Sequence, residues 1–261
     1  MGDVYARWAQ VYDLFYPDRG GEVSFWHHLL GGAGRHVLDL MCGTAEVSLA
    51  LARLGHRVTG VDRSAAMLAV GRERLEAAAD DSARNLSLVQ GDTCDLPVAR
   101  DTFEFILVGG NGSFNHLDRD RARLALTEMA RILSPGGRLG MELINPFLLP
   151  ELDTERVVAP LRPVPPGLWA EMHLANRYDM LEGRFHIRQT IYHERAGNRS
   201  QFTDSFVLQA WMPDQFRCLL QAAGLGDIRF YGDYRLGPFD RWSADLLVVA
   251  SRIEPGPLTL T

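Results

Sequence analysis

From His36 to Val108 the chain alternates short apolar runs with stretches of helical period. Val37, Leu38 and Leu40 form one such run, Gly43 permits a tight turn, and Val47, Leu49, Ala50 and Leu54 recur on one helical face. Gly55 supplies a helix stop, and Val58, Gly60 and Val61 predict a second strand that ends at Asp62. Ser64 is a good N-cap for a helix from Ala65 to about Ala79. A third strand, Leu86 to Gln90, ends at Gly91-Asp92, and a fourth, Phe105 to Val108, opens into Gly109-Gly110-Asn111-Gly112. An amphipathic helix from Asp118 to Leu133 stops at Ser134-Pro135-Gly136-Gly137, and Arg138 to Ile144 reads as a fifth strand. Strands interleaved with helices predict an α/β fold with a mostly parallel sheet and helices on both faces.

After Asn145-Pro146 the period changes. A proline-rich stretch from Pro160 to Pro166 precedes three alternating runs, Trp169 to Met180, Arg184 to Arg195 and Arg199 to Trp211, with turn residues between them. This is the pattern of an antiparallel meander. A helix from Pro213 to Ala223 and strands at Asp227 to Tyr234 and Ala244 to Arg252 complete a seven-stranded sheet, the final pair antiparallel. At the other end, Tyr5, Trp8, Tyr12, Phe15 and Tyr16 fall three or four apart, predicting a helix with one aromatic face, and Pro17 and Gly20-Gly21 predict a flexible joint after it. The expected organisation is an N-terminal helical lid (1–30), a Rossmann-like core (31–146), an antiparallel β insert (147–211), the C-terminal part of the core (212–254) and a tail (255–261).

The ends of the predicted strands carry the chemistry. Asp62, at the carboxyl end of the second strand, is placed to accept hydrogen bonds from two ribose hydroxyls. Asp92, one strand further out, could accept from an adenine amino group. The G-x-G-x-x-G fingerprint of dinucleotide sites is absent, because positions 41, 43 and 46 are Met, Gly and Glu, and Glu46 would repel a pyrophosphate. The bare loop after the fourth strand lets a ligand approach backbone.

In their order and spacing these segments resemble the glycine-rich, ribose-acid, adenine-acid and fourth-strand motifs of class I S-adenosylmethionine (SAM)-dependent methyltransferases, over roughly residues 36 to 146. Where that family commonly has D-L-G-C-G-T-G, this chain has Asp39-Leu40-Met41-Cys42-Gly43-Thr44-Ala45, with Met and Ala at two glycine positions. The resemblance implies SAM as cofactor, held by Asp39, Met41, Gly43, Thr44, Asp62, Arg63, Met67, Gly91, Asp92, Thr93 and Gly109, with Tyr5 and Tyr12 of the lid closing over it. Tyr16, Phe114 and His116 are the expected residues around the acceptor, His116 as base or orienting group and the aromatic faces attracting an alkylammonium product. The tyrosine-rich lid, the G-N-G-S-F-N-H loop and the meander together resemble N-methyltransferases of aminosugars, small amines and antibiotics, the lincosamide type among them. The expected acceptor is a small-molecule amine, with O-methylation on a His116 base as the alternative and a SAM- or NAD-binding protein without methyl transfer as a third reading.

Composition removes other classes. All 27 basic residues are arginine, which excludes a pyridoxal Schiff base, a P-loop lysine and a lysine general base. A formal net charge of −6 with scattered arginines offers no stripe for a phosphate backbone, so no nucleic-acid partner is expected. Cys42, Cys94 and Cys218 are far apart, and the histidines lack ligand spacing, so no metal is expected. The chain shows no signal pattern and no apolar run of membrane length, which suggests a cytoplasmic protein without a membrane partner. The meander offers an edge through which a homo-oligomer could pair.

Overall fold

The computed structural model describes residues 5–7, 9–16, 18–78, 84–110, 112–195 and 197–253. Trp8, Pro17, Asn111 and the tail from Pro255, all invoked above, lie outside them. The central sheet has seven strands: β1 (His36–Leu40), β2 (Arg57–Asp62), β3 (Leu86–Gln90), β4 (Phe103–Val108), β5 (Leu133–Leu143), β10 (Leu225–Tyr231) and β11 (Leu246–Arg252). Their order across the sheet is β10-β11-β5-β4-β1-β2-β3, and only β11 runs against its neighbours. The helices are α1 (Gly20–Leu30), α2 (Glu46–Arg53), α3 (Ala65–Ala77), α4 (Arg119–Ile132) and α5 (Pro213–Ala222).

The central strands are buried on both faces, so their side chains divide by parity. Leu38, Leu40, Ile106, Val108, Leu139 and Met141 pack with α4 and α5, whereas Val37, Val58, Phe105 and Leu107 pack with α1 and α2. Asp39 falls on the second side, and the Ser48 hydroxyl of α2 donates to its carboxylate at 2.5 Å. The predicted Rossmann-like sheet with helices on both faces is the one found.

Three local expectations give way. The first is the N-terminal helix: the described residues before Pro17 form turns and one 3-10 turn, Tyr12–Phe15. The carbonyl of Leu14 accepts from the amides of Leu161 and Arg162, and that of Tyr16 from the Arg162 guanidinium, so these groups serve tertiary contacts instead of a helix. The second is the joint at Gly20-Gly21. These residues begin α1, with the Asp18 carboxylate accepting from the Gly20 amide at 2.8 Å. Third, Ser134-Pro135-Gly136-Gly137 stops α4 but does not separate it from the strand; it forms an irregularity inside β5, whose register with β4 jumps from Phe103↔Leu133 to Phe105↔Arg138.

Between β5 and α5 the chain builds a second, antiparallel sheet of four strands, β6 (Glu155–Val158), β7 (Leu168–Asp179), β8 (Arg184–Arg195) and β9 (Asn198–Gln209). The meander appears where the alternation places it, and the short β6 is an additional edge strand that the pattern did not signal. Ala170, Met172 and Ile191 on its inner face pack with Val11 and Phe15, so the N-terminal segment is seated on this sheet. Arg7 reinforces the join through an ion pair to the buried Asp204 and a cation–π contact over Phe202 at 5.4 Å.

Candidate active site

The chain leaves β1 toward β2 and β3 and later crosses to the other side through β4, so the carboxyl ends of β1 and β4 flank a topological switch point. A narrow cleft opens there, lined by Asp39, Met41, Gly43, Thr44, Gly109 and Gly110 from the core and by Tyr12, Asp13 and Arg19 from the N-terminal segment. Met41 and Ala45 both adopt positive φ, 59° and 58°. Glycine takes this left-handed conformation freely, whereas a residue with a Cβ pays about 1–2 kcal/mol. The turn keeps its glycine-type backbone where two glycines of the family pattern are replaced.

Asp62 anchors that turn, its carboxylate accepting from the Gly43 amide at 2.9 Å and the Ser64 amide at 2.8 Å. Its place at the carboxyl end of β2 is the one expected of a ribose-binding acid. The residues present fit SAM: a Cβ on Gly43 would meet nothing within 4 Å, one on Gly109 would overlap the Glu22 carboxylate, and the cleft offers both the Arg19 guanidinium and the Asp39 carboxylate to a zwitterionic amino-acid group. Burial pushes the Asp39 carboxyl up to about 7 against the lowering effect of the Ser48 bond. Burial and then Glu142 raise Glu22 to about 8, with Arg19 opposing at 3.0 Å.

Around the nucleoside end the expected residues are less uniform. Met67 and Thr93 are buried and Arg63 is exposed. A Cβ on Gly91 would press on Val61 at 3.1 Å. Asp92 is held by both oxygens to Arg121, at 2.7 and 2.8 Å, so an adenine amino group would share that carboxylate with a guanidinium.

Two ion-pair clasps tie the N-terminal segment to the glycine turn. Asp13 accepts from Thr44 Oγ1 at 2.8 Å and from Arg74 at 2.5 Å. Arg162, from the stretch that precedes β7, makes a bidentate pair with Glu46 at 2.8 and 2.9 Å and donates to the Tyr16 carbonyl at 2.9 Å. Glu46 is therefore neutralised, which weakens the repulsion argument against a dinucleotide; the missing glycines at positions 41 and 46 remain.

Beyond Tyr12, Gly110 and Ser113, which border both spaces, lies a cavity of about 510 Å³ between the core and the four-stranded sheet. Tyr5, Tyr16 and His116 line it, as do Glu142 and Asp245. The Tyr12 and Tyr16 rings lie 4.5 Å apart, and burial pushes the Tyr16 hydroxyl up to about 12. His116 Nε2 is 2.8 Å from the Tyr5 hydroxyl, and burial followed by the Arg63 charge pulls the imidazole down to about 4. Burial, then the carboxylates of Glu142 and Asp233, push Asp245 up to about 6.

Phe114 is a correction. It is fully buried between Trp211 and Phe216, with ring centroids at 6.3 and 5.6 Å, and belongs to the core beneath the loop instead of to the cavity wall. Glu142, Asp245, Arg19 and Arg162 were missed. An acid inside the apolar run Leu139 to Leu143 was a usable signal for Glu142, whereas nothing local marks Arg162.

On the inner face of the sheet, Asn176 and Gln189 also line the cavity. Asn176 Oδ1 and Gln189 Nε2 are buried without a hydrogen-bond partner among the described residues. Leaving such a group bare costs about 1–3 kcal/mol. No group of His, Cys, Asp and Glu among the described residues could hold a metal ion, and no described helix is long and apolar enough to cross a membrane.

Residues 37–137 match a family described as a methyltransferase domain. A demethylmenaquinone methyltransferase of Clavibacter sepedonicus is 40% identical over 107 residues, covering 41% of this chain and 40% of that protein. The chain thus spans about two fifths of the length of the curated relatives it matches. Solved structures align over nearly the whole chain. The sugar N-methyltransferase KedS8 of Streptoalloteichus sp. superimposes with a TM-score of 0.74 at 22% identity, covering 97% of this chain and 94% of its own. SAM-bound CalS10 of Micromonospora echinaspora, an amino pentose methyltransferase involved in calicheamicin biosynthesis, gives 0.68 at 21% identity, with 97% and 98% covered. The cleft geometry and the match agree: residues 37–137 match a methyltransferase domain, and the chain has the Rossmann-like fold that these SAM-dependent methyltransferase structures share.

Proposed function

We propose that this protein transfers a methyl group from SAM to the nitrogen of a small-molecule amine, as a step in natural-product (antibiotic) biosynthesis. The observation that carries this reading is the ionic character of the acceptor cavity. Glu142 and Asp245 line it beside three tyrosines, while its one histidine is held near pKa 4. Carboxylates and aromatic faces attract an alkylammonium. An imidazole so weakly basic is a poor match for a hydroxyl proton, which disfavours O-methylation on His116. The sugar and amino pentose methyltransferases among the structural neighbours support an amine acceptor, and the calicheamicin connection of one of them supports a biosynthetic setting.

When bound, SAM supplies an already activated methyl group on a sulfonium. The chain's own residues bring the acceptor into line, exclude water and take up its proton. A typical alkylamine arrives protonated, with a pKa of about 10. Desolvation in the cavity weakens that protonation, and Asp245, whose carboxyl burial raises to about 6, receives the proton before the lone pair attacks. Tyr12, Gly110 and Ser113 hold the border between cofactor and acceptor.

The test is methyl transfer from isotopically labelled SAM to cyclohexylamine, to a panel of aminodeoxyhexose methyl glycosides and to a hydroquinone. Label on nitrogen is expected. Because Asp245 must be deprotonated to accept the proton, kcat/KM should be level above pH about 6 and fall as pH drops below it, a limb that Asp245→Asn removes together with most of the rate. Label on the hydroquinone alone would overturn the reading.

A further inference from the structure

Strand parity gives the four-stranded sheet an apolar inner face at Met172, Leu174, Phe185, Ile187, Phe206 and Leu208, all lining the acceptor cavity. Two positions in the same phase are carboxamides. In the β7–β8 register Gln189 faces Leu174 and Asn176 faces Ile187, and the two amides lie on a diagonal about 7 Å apart. On its other side Gln189 faces Asp204 of β9, whose Oδ2 is likewise buried and without a partner among the described residues, so a donor and an acceptor stand side by side here, not bonded to each other. Gln189 is only 3% exposed.

Buried carboxamides elsewhere around this cavity are engaged. Gln209 donates to the carbonyls of Gly183 and Ala210, Asn145 to those of Ser243 and Arg241, and Asn115 to that of Gln209 while accepting from the Ile144 amide. Only at Asn176 and Gln189, among the described carboxamides, does a buried amide atom lack a partner, and both residues line the cavity. Buried polar groups in folded proteins are almost always paired, so these two point to a partner that the protein does not supply. A carboxamide offers a donor and an acceptor, and two of them on a diagonal can grip two substituents of one ring.

Resting on the N-methyltransfer reading, we propose that Asn176 and Gln189 are specificity-determining residues that hydrogen-bond hydroxyl groups on a compact, ring-shaped amine. They orient its nitrogen toward the border at Tyr12 and Gly110, while Glu142 and Asp245 receive the charge. A plain hydrocarbon amine would fill the same space and leave both amides bare, which is the situation in which a site rejects the analogue that lacks the hydroxyl.

The experiment compares the wild-type protein with Gln189→Met and Asn176→Leu on the aminodeoxyhexose glycoside panel and on cyclohexylamine, alongside thermal melts and calorimetric titration with S-adenosylhomocysteine. Wild type should prefer the best glycoside over cyclohexylamine by at least tenfold in kcat/KM. Each variant should lose about tenfold or more on that glycoside, keep its rate on cyclohexylamine, bind S-adenosylhomocysteine as wild type does and melt no lower. Variants that retain the preference, a wild-type preference for cyclohexylamine, or melting lowered by several degrees would each overturn the proposal, the last by showing that the amides serve the fold. Absence of transfer to any amine, with S-adenosylhomocysteine still bound, would sink the parent reading and this one with it; N-methylation with the preference intact in both variants sinks this one alone.

Discussion

The cofactor cleft and the acceptor cavity share a border at Tyr12, Gly110 and Ser113, yet they are assembled in opposite ways. The cleft is written in short contiguous stretches: residues 39–46 make its turn, Asp62 ends the next strand, and 109–110 follow β4. The cavity is gathered from Tyr5 to Asp245, with its walls on at least four separate pieces of chain. A backbone-held site tolerates little change and so keeps a motif, whereas a site made of side chains on a sheet face can alter its polarity one residue at a time. The domain match follows this division, covering residues 37–137 and stopping before the four-stranded sheet begins.

The largest effect expected on the cleft side is that of Asp62→Ala. The substitution removes the acceptor for the Gly43 and Ser64 amides along with the carboxylate proposed to hold the ribose. Bonds to charged groups contribute about 1.5–3 kcal/mol each, so affinity for S-adenosylhomocysteine should fall by about 100-fold or more in calorimetry. A loss below tenfold would remove Asp62 from the cofactor site. On the other side of the border, Arg162→Ala strips Glu46 of its bidentate partner and frees the Tyr16 carbonyl. A fall of about tenfold in kcat/KM is expected, equivalent to about 1.4 kcal/mol, because the clasp positions the segment bearing Tyr12 and Tyr16. Unchanged kinetics would show that this segment holds its place without the clasp.

The smallest effect separates the turn from the helix that follows. Ala45 already occupies left-handed backbone, so in Ala45→Gly relieved strain offsets the lost methyl contact and the melting temperature should stay within about 2 °C. Ala52, equally buried but inside α2, has no strain to release. Ala52→Gly should cost about 2 kcal/mol, roughly 4–8 °C, from helix propensity and burial together. Equal losses at the two positions would contradict the account of the turn.

The same division explains what was legible in the sequence. Central strands announce themselves because burial on both faces demands unbroken apolar runs, and the meander because one face is covered. The N-terminal segment misled because aromatic residues three and four apart suit a helix equally well as an irregular strap seated on a sheet; what decided it was the demand of Leu161 and Arg162 for its carbonyls, nearly 150 residues away. Phe114 was expected at the acceptor because it follows a glycine loop, and Trp211 and Phe216, which bury it, come from the far end of the chain. Asn176 and Gln189 did leave a trace, as polar residues in the apolar phase of alternating strands, but only knowledge of which face meets the cavity gives that trace meaning.

The most direct test of the central claim is calorimetric titration of the purified protein with S-adenosylhomocysteine and, separately, with NADH. Micromolar binding of S-adenosylhomocysteine and none of NADH is the result this account predicts. Binding of NADH in preference would mean that a turn with Met41 and Ala45 at positive φ accepts a pyrophosphate after all, and would contradict the assignment of the cleft.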